Sequence, residues 1–186
     1  MENEDTFIDR FLQNWRIRVV KKHIGSRKTV CDLGCGKEGA FLRRISGIIK
    51  SGIGFDMEVR EREEGNIVLR EANLDIGVPL DDNSQDCVTS LAVIEHIDRY
   101  EDFAREIFRI LKPGGRCILT TPAPRARVIW EFLLKCKLIN LSEDIHEHKK
   151  YFRGSELVDL FEKAGFSRVY SETFQFGFNN LIVAER

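Results

Sequence analysis

The chain has 186 residues, enough for one domain that buries about 70% of the surface its unfolded form exposes. Its 29 basic and 30 acidic residues leave a net charge of −1, so no dominant electrostatic partner such as nucleic acid is expected, with a local patch left open. No apolar run reaches the ~20 residues of a membrane span, and the acidic, polar residues 1–10 do not read as a signal peptide, so a cytoplasmic location is expected. Five cysteines, an odd number, lack a second matching pair around Cys31 and Cys35; free thiols and no metal are expected.

In residues 7–24, Phe7, Phe11, Leu12, Trp15, Val19 and Val20 recur near helical spacing, with Arg10, Arg16, Arg18 and Lys21 between them. This predicts a leading helix packed on a sheet, its basic face in solvent. After a turn at 25–28, the run 29–33 reads as a strand, Gly34-Cys35-Gly36 as a tight turn, and 37–49 as a helix packing through Ala40, Phe41, Leu42 and Ile45. Strand, glycine turn and helix form the first βα unit of a nucleotide-binding sheet. Gly34 and Gly36 let a ligand approach the backbone, and Asp32 sits at the carboxyl end of the strand, where such sheets bind ligands. A dinucleotide site needs a third glycine at set spacing; here Glu38 stands near that place and Gly39 follows one residue later. A carboxylate there repels a pyrophosphate, which argues against NAD or FAD and for a ligand with no phosphates and a positive centre.

Asp32-Leu33-Gly34-Cys35-Gly36 resembles motif I of the class I S-adenosylmethionine-dependent methyltransferases. The resemblance runs over about residues 27–186 and is nearest the methyltransferase type 11 group of small-molecule enzymes. A leading helix can cover the cofactor pocket in that family. The resemblance implies a Rossmann-like, doubly wound α/β sheet of seven strands, mostly parallel, with one antiparallel strand near the edge. It implies a single domain over 1–186, with 1–26 as leading helix and 122–152 as a variable lid or acceptor region.

Residues 52–56 read as the second strand, ending at Asp56 about 20 residues past the glycine turn, where a carboxylate accepts hydrogen bonds from both ribose hydroxyls. Met57 follows, either against one face of an adenine or in the core. Residues 58–64, EVREREE, read as a solvated helix face. The third strand is 66–71, and the resemblance implies that Asn73 and Leu74 recognise adenine; a turn-forming Asn73 is the alternative. Residues 78–86 resemble the family's turn into a fourth strand, 87–91, after which the backbone at Leu91 and Ala92 faces the methionine part of the cofactor.

Glu95-His96 matches the family's Glu-His pair. His96 reads either as a general base or as a residue orienting its loop. Some quinone-type relatives bind a metal through Glu-x-x-Glu-His; Ala92 replaces the first Glu here, so no metal is expected. A helix over 102–111 ends at Lys112-Pro113-Gly114-Gly115, before a fifth strand at 116–121. Residues 128–139 are strongly apolar, as a lid or a core helix. His148 and Tyr151 are candidate acceptor contacts by resemblance. Ser155 is expected to cap a helix over 156–164 stopped by Gly165, and 167–174 and 180–185 to pair as an antiparallel hairpin.

The expected activity is methyl transfer from S-adenosyl-L-methionine, leaving S-adenosyl-L-homocysteine. The acceptor is expected to be a small or medium-sized molecule, lipid- or quinone-like if the apolar segment covers it. Two alternatives stay open. One is a non-catalytic S-adenosylmethionine-binding or partner-binding protein of the same fold. The other is an NAD-dependent oxidoreductase, which Glu38 and the lack of a substrate domain oppose.

Overall fold

The computed structural model describes residues 7–126 and 150–186 and centres on β1 (Thr29–Leu33), whose last four residues are all buried. A strand covered on both faces shows an unbroken apolar run rather than alternation, which is why TVCDL reads as it does. In chain order the elements are α1 (Phe7–Ile24), β1, α2 (Ala40–Ile45), β2 (Ser51–Asp56), β3 (Arg62–Glu64), β4 (Ile67–Glu71), β5 (Gln85–Leu91), α3 (Tyr100–Ile110), β6 (Leu111–Pro122), α4 (Gly154–Lys163), β7 (Arg168–Phe174) and β8 (Asn179–Glu185). Single turns of 3-10 helix lie at Ile94–His96 and Gln175–Gly177.

The strands form one sheet in the order β3-β4-β2-β1-β5-β6-β8-β7. From β4 to β6 the pairings are parallel; β8 is antiparallel to β6 and to β7. This is the doubly wound sheet that the family resemblance implies, with eight strands instead of seven. The extra strand is β3, antiparallel to β4. It falls in the charge run expected to be a helix face. Cross-strand and neighbouring pairs hold it there: Arg70 with Glu63, Arg43 with Glu64 at 2.6 Å, and Arg62 with Glu38 at 2.8 Å.

Helices cover both faces. α1 and α2 pack on one through Val20, Ile24, Phe41, Leu42 and Ile45; α3 and α4 pack on the other through Phe103, Ile107, Leu157 and Phe161. Three boundaries differ from expectation. α2 starts only at Ala40, because Gly39 takes a left-handed φ of 60° at its N-cap. Lys112 to Gly115 fall within β6, but the register jumps from Gln85↔Leu111 to Cys87↔Arg116, so this stretch bulges from the ladder, with Gly114 at φ 75°. Arg153, not Ser155, is the N-cap of α4, its N–H donating to Glu156 Oε2 at 2.7 Å.

The displaced glycine has a packing role. A Cβ on Gly39 would lie 2.7 Å from Leu69 Cδ2, so only glycine lets the start of α2 come this close to β4. A third glycine serves close helix–strand packing in dinucleotide folds as well. The leading helix departs further from expectation: Phe7 and Phe11, expected to pack inward, are 77% and 51% exposed.

Candidate functional site

The carboxyl ends of β1, β2, β4 and β5 point to the same edge of the sheet, and the loops that leave them enclose a cleft of about 590 Å³. That is within the usual range for a small-molecule site. Gly34, Asp56, Met57, Asn73, Leu74 and His96 line it together. Glu58, Asp75, Ala92, Val93 and Ile97 complete it.

The glycine turn is fastened to the end of β2. Gly34 and Cys35 donate their N–H groups to Phe55 C=O at 2.8 and 3.1 Å. Gly34 and Gly36 have φ of 82° and 69°. A Cβ on Gly34 would stand 2.1 Å from Val93 Cγ2, so the two loops approach closely only because residue 34 has no side chain. Cys35 itself is buried over Gly54, whose own Cβ would meet it at 2.8 Å.

Asp56 is half-buried, and both its oxygens are oriented. Oδ2 accepts from Gly36 N–H at 2.9 Å and Oδ1 from Glu58 N–H at 3.0 Å. A carboxylate has about four acceptor positions, so each oxygen can still take a hydroxyl from the cleft. Asp32 lies beneath the turn, 2% exposed, and accepts from Thr89 Oγ1 at 2.6 Å. Burial pushes its carboxyl up to about 7, opposed by the Thr89 hydrogen bond and reinforced by the negative charge of Asp56.

Opposite the turn, Asn73 Oδ1 accepts from Asp75 N–H at 3.0 Å, the turn-forming geometry open to it. Asp75 Oδ1 then accepts from the N–H groups of Asp98 and Arg99 at 3.0 and 3.1 Å, tying this loop to the one after His96. Ala92 is left-handed, with φ 60°, and its N–H donates to Thr120 C=O at 2.8 Å. Leu91 is half-buried and packs on the α1 side of the sheet rather than lining the cleft. Glu95, beside His96, is buried and accepts from Thr121 Oγ1 at 2.9 Å.

Tyr151 is half-buried and lies one residue past the backbone bond from Lys150 N–H to Glu95 C=O, outside the cleft lining. His148 and the apolar run 128–139 lie outside the described residues. Arg16, expected on the solvated face of the leading helix, instead has its Nε sealed from solvent. Burial lowers its pKa, and the nearby Glu95 charge opposes that shift. Its place on the charged register of α1 gave no signal of this, since the partner is far along the chain.

The electrostatics of the cleft are one-sided. Asp56, Glu58 and Asp75 line it with Asp32 beneath, and no lysine or arginine is among the described lining residues; Lys37 pairs with Glu58 at 3.0 Å. Glu38, the carboxylate expected to repel a pyrophosphate, pairs instead with Arg60 and Arg62 at 3.2 and 2.8 Å. The repulsion is supplied by the cleft carboxylates. Among the described residues no group of three or more His, Cys, Asp or Glu is placed to hold a metal, and no helix is long and apolar enough to cross a membrane.

A family model described as a methyltransferase domain matches residues 5–171. The chain is 31% identical over 160 residues to a probable S-adenosylmethionine-dependent methyltransferase of Mycolicibacterium smegmatis, across 81% of this chain and 58% of that protein, so it spans little more than half of that relative's length. It is 26% identical over 191 residues to a demethylmenaquinone methyltransferase of Geobacillus sp., across 88% and 81% of the two chains. Its fold is similar to the crystal structure of a SAM-dependent methyltransferase from Archaeoglobus fulgidus, with a TM-score of 0.74 at 19% identity over 95% and 94% of the chains.

Proposed function

This chain belongs to the methyltransferase-domain family, with the fold of the class I S-adenosylmethionine-dependent enzymes, and on that premise we propose that it methylates a small or medium-sized, lipid- or quinone-like acceptor. The observation that carries the cofactor half is the charge of the cleft: carboxylates on and under its wall, with no cation among the described lining residues to hold a phosphate. That suits a molecule with a sulfonium and an ammonium and opposes a pyrophosphate. In this reading Asp56 accepts from the ribose hydroxyls, Asn73 and Leu74 with Met57 border the adenine, and Gly34 to Gly36 give the backbone room. Asp32 faces the ammonium directly or through water, and the Ala92 backbone borders the methionine part.

S-adenosylmethionine supplies a methyl already activated on sulfur. The protein's share is therefore alignment, which removes an entropic barrier of up to roughly 7–11 kcal/mol in well-oriented cases. In this reading His96, which lines the cleft, takes a proton from a hydroxyl acceptor. His96→Ala is expected to leave cofactor affinity within about twofold and to lower turnover by about a hundredfold. Normal turnover in that variant removes the base.

Asp32 makes the proposal sensitive to pH. Its native carboxyl holds a proton far more tightly than an ordinary one of 3.8, so the free protein loses stability from this group as pH rises from about 4 to about 7. A cation bound nearby favours the carboxylate, so binding releases a proton. Affinity for S-adenosylmethionine is expected to rise by up to about tenfold per pH unit below 7 and to level off above it. Calorimetry across pH 5.5–8.5, roughly spanning that value, reads the slope, and Asp32→Asn is expected to flatten it. An equal slope in that variant assigns the titration elsewhere.

The acceptor half is supported by the similarity to the Geobacillus demethylmenaquinone methyltransferase and by the apolar sequence 128–139, read as part of a lid over 122–152 within a single domain. A cytoplasmic site of action belongs to the same proposal. The test is S-adenosylhomocysteine release in the presence of a demethylated naphthoquinol with a short isoprenoid tail. Quinol-dependent release supports the reading. Cofactor binding with no release, against quinols and simple phenols alike, points to a non-catalytic binding protein.

A further inference from the structure

Toward its start α1 carries a row of aromatic side chains that runs past the core, with Trp15 packed partly against it and Phe7 and Phe11 beyond it. Phe7 and Phe11 stand one turn apart and exposed; Phe11 meets Trp15 edge-on at 5.8 Å between centroids, and Trp15 meets Phe176 edge-on at 5.4 Å. Phe176 is 82% exposed. Single exposed aromatics are ordinary, but a contiguous row marks an interaction surface.

Phe176 is held outward at a conformational cost. Gln175 and Phe176, neither of them glycine, have φ of 51° and 60°. Such geometry persists only where the surroundings enforce it. The enforcement is the buried Gln175 side chain, whose Nε2 donates to Leu12 C=O at 2.7 Å and whose Oε1 accepts from Asn179 Nδ2 at 2.6 Å. The turn is thereby tied to α1, and Phe176 extends the aromatic row.

The same face is basic further along. Arg18, Lys21 and Lys22 fall at helical spacing from Phe11 and Trp15 and line with them a shallow groove of about 770 Å³. α1 carries five Arg or Lys against one Asp, a net +4 on a chain whose total is −1. The aromatic end also lies at the catalytic edge. The Gln175–Gly177 turn joins β7 to β8 where Phe174 pairs with Asn179, and Asn179 pairs with Pro122 at the carboxyl end of β6.

We propose that α1 and Phe176 dock the protein on an anionic lipid surface, with the rings at the acyl boundary and the cations on the headgroup phosphates. The inference rests on the reading of the acceptor as lipid-like. An acidic protein patch would answer the cations but not the exposed rings, whereas a membrane interface answers both.

The test is flotation of the full chain with vesicles of equimolar phosphatidylglycerol and phosphatidylcholine, and with phosphatidylcholine alone. Binding to the first and little to the second is expected. Phe11→Ser with Phe176→Ser, and separately Lys21→Glu with Lys22→Glu, are each expected to lower binding by about tenfold or more. S-adenosylmethionine affinity should be unchanged in both, which shows the fold is intact. Failure of the parent chain to float, or flotation of both double variants undiminished from the parent's, overturns the proposal. So does a dimer in solution that Phe176→Ser dissolves, without vesicle binding. Vesicle binding without quinol turnover keeps the docking and removes the lipid-like acceptor; turnover of detergent-dispersed quinol without vesicle binding does the reverse.

Discussion

Gly34→Val is expected to abolish S-adenosylmethionine binding, weakening it by more than about a hundredfold, or ~2.7 kcal/mol. Two costs coincide at this position. The backbone is left-handed with φ 82°, which costs a side-chain-bearing residue about 1–2 kcal/mol. The new Cβ would also lie 2.1 Å from Val93 Cγ2, far inside contact distance. Gly34 cannot retreat, because its N–H and that of Cys35 are bonded to Phe55 C=O. The loop bearing Val93 must move instead, and Ala92 and His96 of the cleft wall move with it. The double variant Gly34→Ala, Val93→Ala separates the costs: relief of the contact should restore part of the affinity and leave the backbone cost. A thermal melt beside the titration shows whether each variant is folded. Wild-type affinity in a folded Gly34→Val protein means that this turn is not the cofactor loop.

Asp56→Ala is the second large effect, a loss of at least about tenfold, ~1.4 kcal/mol. The substitution removes the proposed acceptor for the ribose hydroxyls. It also frees the N–H groups of Gly36 and Glu58, which Asp56 Oδ2 and Oδ1 hold at 2.9 and 3.0 Å. Hydrogen bonds to a charged group contribute about 1.5–3 kcal/mol each, so losing the pair of ribose contacts outweighs any gain in flexibility. Asp56→Asn should fall between wild type and Ala, because an amide keeps one acceptor oxygen. Unchanged affinity in Asp56→Ala would take Asp56 out of the ribose site.

What the sequence made legible is what is local. β1, the glycine turn and α2 are consecutive, and Asp56 closes the next strand; their residues meet through the bonds of Gly34, Cys35 and Gly36 to the end of β2. The cleft accordingly gathers Gly34, Asp56 and Met57, which spacing singles out, with Asn73, Leu74 and His96, which the family resemblance singles out. What stayed hidden is non-local. Val93 faces Gly34, Asp75 holds the N–H groups of Asp98 and Arg99, and Glu95 lies near Arg16 of the leading helix, all across separations that no periodicity reports. Arg62 to Glu64 gave a charge pattern that fits either a solvated helix or a strand; pairing with β4 and ion pairs to Arg43 and Arg70 decide it. Phe7 and Phe11 share the helical register of the buried residues, and only the extent of the sheet beneath α1 leaves them outside.

The carboxylates of the cleft are likewise set by contacts between distant residues. Glu38 stands next to the glycine turn in sequence, but Arg60 and Arg62 draw it away, and Glu58 and Asp75 take its place on the wall. Asp56, Glu58 and Asp75, rather than Glu38, are the carboxylates that oppose a pyrophosphate.

Calorimetric titration of the full chain with S-adenosylmethionine, S-adenosylhomocysteine and NAD in parallel tests the central claim most directly. The acidic cleft predicts binding of the first two at about micromolar strength, ~8 kcal/mol, and none of NAD. Binding of NAD, or of none of the three, would contradict it.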